Sequence, residues 1–425
     1  MSPGLSILAL LLAAVPAAGP AAEPAAGAPL EFGVFVLRVL EANPDLAAAR
    51  ANLPIAEAQI EIAKELPDPQ LSAGLNQYDV TGRGNPPITE VQVTVPIELG
   101  GKRSARVAVA RAGVEAARFD YDESVRALRA AAANSFADSL RARLVLAQKE
   151  RVLANLQRLV SVNEKRLAAG DVAEVALLQS RVEAQQFRSE VLAAEGERRA
   201  LDLALLALLG PQEVPPRRLD LAGDLRSLPG QVDAGRVVAT VERRPDVLAA
   251  AARADQAARQ VSLEEAKRVI DVSVGVGWQH VFPVGGSPGA PSADLVVASL
   301  AIPLPFSRVY RGELDAAAAS RQQAENQLRA VRARAESEVR QALARFEAAA
   351  ERVALYDSGV LGDARSVLEK TLYNYERGGA TIVDVLIAQR TESDVNLAYF
   401  DALADRAHAL ATVEQASGLA GLVRY

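Results

Sequence analysis

The sequence predicts a mainly α, internally duplicated fold in which long antiparallel coiled-coil helices carry a small β part of four strands. Three observations lead there. Two stretches alternate apolar and polar residues with a strand's period, two Pro-free stretches hold a helical period far beyond an ordinary globular helix, and this order occurs twice. Asn43-Pro44-Asp45-Leu46-Ala47-Ala48-Ala49 matches Arg244-Pro245-Asp246-Val247-Leu248-Ala249-Ala250. Leu71-Ser72-Ala73-Gly74 matches Val272-Ser273-Val274-Gly275 at the same offset.

Residues 1–22 read as a signal peptide with cleavage between 17 and 28. Leu5 to Ala18 is an apolar run of about fourteen residues, the size of a signal h-region and too short to span a bilayer, although Met1-Ser2-Pro3-Gly4 carries no Lys or Arg. The first repeat covers 30–210. Phe32 to Leu66 reads as helix, interrupted at Asn43-Pro44-Asp45 because Pro44 can open a helix but not continue one, with a further break or kink at Pro54. Strands follow at about 69–79 and 90–99. Leu71, Ala73 and Leu75 alternate with Ser72, Gly74 and Asn76, and Val91, Val93, Val95, Ile97 and Leu99 with Gln92, Thr94 and Glu98, around a turn-rich loop from Asp79 to Pro87.

Ser104 to Ala168 contains no Pro and would form a helix near 100 Å long at about 1.5 Å per residue. Apolar or small residues recur at steps of three and four, from Val125, Leu128, Ala132, Ser135, Ser139, Ala142 and Leu146 to Leu153, Leu156, Val160, Asn163 and Leu167, with Lys149 the one charged interruption. That period, held over about six heptads, implies a left-handed coiled-coil seam, and its small residues imply a close partner. Gly170-Asp171 breaks the run and Val175 to Leu209 returns beside it. Residues 211–230, with Pro211, Pro215, Pro216 and Pro229, read as a linker.

The second repeat, 231–418, follows the same order, with strands at about 270–281 and 294–305. Val272, Val274, Val276 and Trp278 share one face, as do Val296, Ala298, Leu300, Ile302 and Leu304. Val95-Pro96-Ile97 corresponds to Ile302-Pro303-Leu304, so each return strand meets a Pro at its end, where a sheet tolerates it. A Pro-free helix from Val309 to Arg377 ends at Gly378-Gly379, and Thr381 to Ala416 returns.

Composition narrows the function. A net charge of −6, from 47 basic and 53 acidic residues, offers no basic field for nucleic acid. With no Cys and only His280 and His408, the chain has no thiolate or His-rich metal site and implies no cofactor. Gly100-Gly101-Lys102-Arg103-Ser104 looks like a phosphate loop but fails as one, because Lys102 is followed by Arg103 and the upstream Gly is missing. It reads instead as a flexible strand-to-helix joint whose cations sit near a membrane surface or in water. Gly285-Gly286-Ser287-Pro288-Gly289 reads as an external loop. No nucleophile-base pair or nucleotide loop survives, so an enzyme is not expected.

Four strands cannot close; about eight make the smallest packed barrel, so several copies must pool their strands. One reading leaves the hairpins as caps on a soluble helical bundle, a secreted scaffold. Against it stand the signal segment, the bilayer-length strands and the lack of an apolar helix to cover both hairpins. In a bilayer only a closed barrel satisfies every backbone group of a sheet.

The duplicated order, the Pro-terminated return strands and Tyr375-Glu376-Arg377-Gly378 followed by Thr381-Ile382-Val383-Asp384-Val385-Leu386 resemble the TolC-like outer-membrane efflux proteins of Gram-negative bacteria. The resemblance implies a homotrimer in which a twelve-stranded transmembrane β-barrel, four strands per subunit and bathed in outer-membrane lipid, joins a large periplasmic α-barrel. It implies the exit duct of a tripartite pump, partnered by a periplasmic adaptor (membrane fusion) protein and an inner-membrane transporter of RND type. Ile97-Glu98-Leu99-Gly100-Gly101-Lys102-Arg103 with Ala105-Arg106 is similar to the heavy-metal, cobalt-zinc-cadmium branch. A drug or protein-secretion duct of the same architecture remains the rival.

By the same resemblance, Asp384 with Tyr375 and Thr381 would line the periplasmic aperture, three carboxylates forming a ring; the alternative is an ordinary solvated residue at a helix start. Gly170, Asp171, Gly378 and Gly379 would mark the adaptor-docking tips. Pro96, Gly100, Gly101, Lys102, Arg103 and Pro303 would form the strand–helix joint. The chain departs from the family pattern at Ala380, in place of a gating Arg, at Ile387, in place of a second Asp, and at Ala176, in place of another acid.

Overall fold

The computed structural model describes residues 29–76, 87–210, 219–283, 291–304 and 310–425. The expected signal segment, all but the last residue of the expected Asp79–Pro87 loop and the Gly285–Gly289 loop lie outside these residues. In chain order the elements are β1 (Leu30–Glu31), α1 (Phe32–Ala42), α2 (Pro44–Lys64), β2 (Gln70–Asn76), β3 (Ile88–Ile97), α3 (Lys102–Ala169) and α4 (Glu174–Ala207). They continue with β4 (Leu221–Ala222), α5 (Ala234–Val238), α6 (Pro245–Lys267), β5 (Val272–Val281), β6 (Ala293–Ala301), α7 (Arg311–Leu355), α8 (Leu361–Glu376) and α9 (Ile382–Ser417).

The helices begin and end where caps allow. Asn43 Oδ1 accepts the Leu46 N–H at 3.0 Å and Pro44 occupies the first turn, so α2 starts as expected. It then runs through Pro54 without a break, since that Pro lies on the exposed side, where water can take the freed carbonyl. The single helix expected from Val309 to Arg377 is two. A wider turn at Tyr356–Val360, closed by Leu361 N–H on the Tyr356 carbonyl, separates α7 from α8, and Gly359 within it has little helix preference to resist the interruption.

The sheet is antiparallel throughout, in the order β2-β3-β5-β6. Register places Val93 opposite Leu71 and Val276, and Val276 opposite Ala298. Leu71, Val91, Val95, Trp278, Val296 and Leu300 fall on that face too, and all are exposed. The other face carries Ser72, Gln92, Thr94 and Ser299. β6 ends at Ala301 rather than 305, so Pro303 lies beyond the ladder, where its missing N–H removes no bond.

The main core lies where α1, α3, α7 and α9 meet, around Phe35, Phe136, Phe346, Leu403 and Leu410. Ala132, Ala335, Ala402 and Ala407 are fully buried there, and such small side chains let the helices approach closely. Along α3 the expected seam residues Ala132, Ser139, Ala142, Leu156 and Asn163 are buried, but so are Phe136, Leu140, Val152 and Leu159. The buried face is wider than one seam because α3 packs on α2, α4, α6 and α9.

The expected linker is in part structural. β4 pairs in parallel with β1, and Leu225 and Leu228 join the main core, where the buried Arg406 guanidinium donates to the Leu225 carbonyl at 2.8 Å. Among the described residues no helix is long and apolar enough to cross a membrane.

Candidate functional site

Three places carry the functional expectations: the faces of the sheet, the joint below it and the two helix tips. On the central strands β3 and β5, the apolar face is the exposed one and the polar face is half covered, the reverse of a soluble sheet packed on a core. Gly275 and Gly277 sit on the polar side of β5. A Cβ at Gly275 would collide with Gln92 Nε2 and Ser299 Oγ, so the missing side chain lets Gln92 reach across β5 to Ser299.

At the joint the expected flexibility is not found. Gly100 and Gly101 adopt left-handed φ values of 71° and 72°, and a Cβ on Gly100 would collide with Val269 at 2.5 Å. Lys102 is buried and its Nζ lies 2.7 Å from Asp271 Oδ1, the same oxygen that accepts the Leu99 N–H at 2.9 Å. Burial works against the charged form of Asp271, but the bonds from Lys102 and Leu99 outweigh it and hold its carboxyl below the usual carboxylate range. Arg106 grips both oxygens of Glu98, with Nη2 to Oε2 at 2.9 Å, and also reaches the Glu65 carbonyl. Arg103 Nε donates to the Lys64 carbonyl at 2.6 Å. These cations are therefore engaged within the chain rather than free at a membrane surface, because the turn brings α2, α3 and the start of β5 together. Asp271 was not singled out by sequence; its only signal was its place just before a strand. Pro96 pairs across to Ser273 but lies beyond the last residue of β3 matched by β2.

Both tips close with the same pair of bonds. Gly170 N–H reaches the Leu167 carbonyl and Asp171 N–H the Arg166 carbonyl; Gly378 N–H reaches Tyr375 and Gly379 N–H reaches Asn374. Gly170 and Gly378 stand at φ 81° and 79°. The three expected aperture residues are divided. Thr381 and Asp384 are exposed and form a capping box, with Asp384 Oδ2 accepting from Thr381 N at 2.8 Å and from its Oγ1 at 2.7 Å. Those bonds, the backbone one first, hold the Asp384 carboxyl below its ordinary range. Tyr375 is buried instead, its hydroxyl donating to Asn163 Oδ1 at 2.6 Å on α3, with the Arg166 guanidinium 5.0 Å from its ring centroid. Ala176 and Ala380 pack with Leu159, Tyr375, Ile382 and Val385, so both lie in an apolar cluster between the two tips.

The two histidines are each paired with one carboxylate, His280 with Asp294 at 2.8 Å and His408 with Asp138 at 2.9 Å. Asp138 raises the His408 pKa. Among the described residues no group of three His, Cys, Asp or Glu could hold a metal ion.

The sequence model of the outer membrane efflux protein family matches residues 36–211 and 237–419. The cobalt-zinc-cadmium resistance protein CzcC of Cupriavidus metallidurans is 26% identical over 395 residues, spanning 92% of this chain and 91% of the relative. The pyoverdine export outer membrane protein OpmQ of Pseudomonas putida is 29% identical over 292 residues, 64% of this chain and 60% of that protein. A solved structure of CusC, described for its folding and transmembrane channel formation, superimposes with a TM-score of 0.73 at 19% identity, covering 91% of both chains. The chain therefore belongs to the outer membrane efflux protein family, as a passive efflux channel of TolC-like fold with a large periplasmic part.

Proposed function

We propose that three copies of this chain close a twelve-stranded barrel and act as the exit duct of a tripartite pump, with a periplasmic adaptor and an inner-membrane transporter of RND type, exporting heavy-metal cations. The observation that carries the closed duct is the sheet itself. Its apolar face is exposed and its edge strands β2 and β6 each have an open side among the described residues, so neighbouring copies must supply the missing pairing in a bilayer. The metal reading rests on the likeness to CzcC along nearly the whole chain. Since no metal cluster is present among the described residues, the duct would be permissive and the choice of cargo would lie upstream. Asp384 would contribute to a carboxylate ring at the aperture, and the turns at Gly170-Asp171 and Gly378-Gly379 would meet the adaptor.

The test is growth of a strain lacking the protein, with and without complementation, on zinc, cobalt, cadmium, copper and silver and on dyes, detergents and antibiotics. Sensitivity confined to divalent metals supports the cation reading. Sensitivity to organic compounds alone sinks it and favours the second reading, export of an organic molecule, which the likeness to OpmQ supports. The tube is tested separately, because the native chain has no Cys: Asp384→Cys should form intersubunit crosslinks if the tips converge.

A further inference from the structure

On the polar face of the sheet the described residues carry a single charge, Glu90, the third residue of β3 and so near the end away from the helices. Its neighbours are neutral: Gly74 across β2, Gln279 across β5, and Ile88 and Gln92 along β3. No described Lys, Arg or His shares that face. A Cβ on Gly74 would meet nothing within 4 Å, so the space beside Glu90 is open. The opposite, apolar face differs, for there the described carboxylate has a partner, His280 Nδ1 lying 2.8 Å from Asp294 Oδ1.

We propose that Glu90 sets the charge preference of the duct's outer end, drawing cations and repelling anions where cargo leaves. This rests on the trimeric closure proposed above. Twelve strands about 4.8 Å apart and tilted by about 40° close on a backbone radius of about 12 Å. A glutamate reaching inward from that wall brings its carboxylate to within about one Debye length of the axis at physiological salt. Three such groups, with no countercharge among the described residues of the same wall, give it a negative potential that polar neighbours such as Gln279 and Gln92 leave uncompensated.

The experiment uses the whole chain in the outer membrane of intact cells. Gln279→Cys places a thiol directly across β5 from Glu90 in a sequence with no other Cys. Its reaction rates with a small cationic and a small anionic methanethiosulfonate are each normalised to a free thiol. With Glu90 present the cationic reagent should be favoured by about threefold to tenfold, the range a unit charge at contact distance gives in water. The ratio should fall to about one in Glu90→Gln and invert in Glu90→Lys. An unchanged ratio in Glu90→Gln, or a ratio of one already with Glu90, overturns the proposal. If Gln279→Cys reacts with neither reagent, the polar face is not a water-filled lumen, and the barrel reading falls with it. Should Glu90→Lys fail to assemble, the isosteric Glu90→Gln decides alone.

Discussion

At the first tip, between α3 and α4, the chain turns on Gly170 at φ 81° and α4 then starts at Ala173, which supplies no side-chain cap. At the second, between α8 and α9, it turns on Gly378 at φ 79°, and α9 starts with the reciprocal bonds of Thr381 and Asp384. The backbone solution is common to both because two glycines and the carbonyls of a helix end suffice for it. The side-chain solution is not. Only the second tip is capped, and it is anchored to the first through Tyr375 and Asn163. Duplication thus preserved the turn and let the contacts diverge, so that α8–α9 is held against α3 by a buried hydrogen bond within an apolar cluster.

The largest way to break this asymmetry is Tyr375→Phe, which leaves Asn163 Oδ1 unpaired beside an Nδ2 that already has no partner among the described residues. It should cost about 1–3 kcal/mol in denaturant unfolding of the detergent-solubilised protein, and hydrogen exchange should rise at both tips together. Gly170→Ala and Gly378→Ala should cost about 1–2 kcal/mol each and about equally, since both demand left-handed backbone and neither Cβ would meet an atom within 4 Å. Unequal losses would show that the turns are not equivalent. Gly100→Ala, with the Val269 clash added to the same backbone demand, should exceed both.

Smaller effects sharpen the comparison at the caps. Thr381→Ala should cost about 1 kcal/mol and fray the start of α9, whereas Ala173→Ser should gain about 0.5 kcal/mol by giving α4 the cap it lacks; exchange at the first turn of each helix reads both. The smallest effect is in acid. Asp384 has a folded pKa below its unfolded one, so its contribution is complete above the unfolded value and fades as pH falls through the folded value. The start of α9 should therefore loosen in strong acid while the start of α4, without that carboxylate, does not follow the same titration.

Most of the architecture was legible because it rests on periodicity and punctuation. Alternation in Val91 to Ile97 and in Val272 to Trp278 depends only on the two-residue repeat of a strand, and the glycines that end α3 and α8 depend only on local backbone freedom. What was not legible came from residues far apart in sequence. Gly100-Gly101 is locally permissive and by itself reads as a flexible joint, yet Val269 and Asp271 close over it. Tyr375 was placed on an aperture, yet Asn163 draws it into the chain. The prolines of residues 211–230 read locally as a linker, while Leu225 and Leu228 answer to a core assembled from four helices. The equivalent positions Asn43 and Arg244 make the same point. Asn43 ties to the Leu208 carbonyl and Arg244 to the Ala416 carbonyl, both at 3.0 Å, so each fastens the end of its own return helix by different chemistry.

By itself the sequence determined the repeat, the strand faces, the length of α3 and the residues at which the helical hairpins turn, because each follows from nearest-neighbour geometry and the burial period of one element. Only the tertiary structure decided which charges are spent within the chain and which are left to act. Lys102 and Arg106 find partners brought close by folding, whereas Glu90 finds none among the described residues of its face, and a side chain's partner depends on distances that no local pattern encodes.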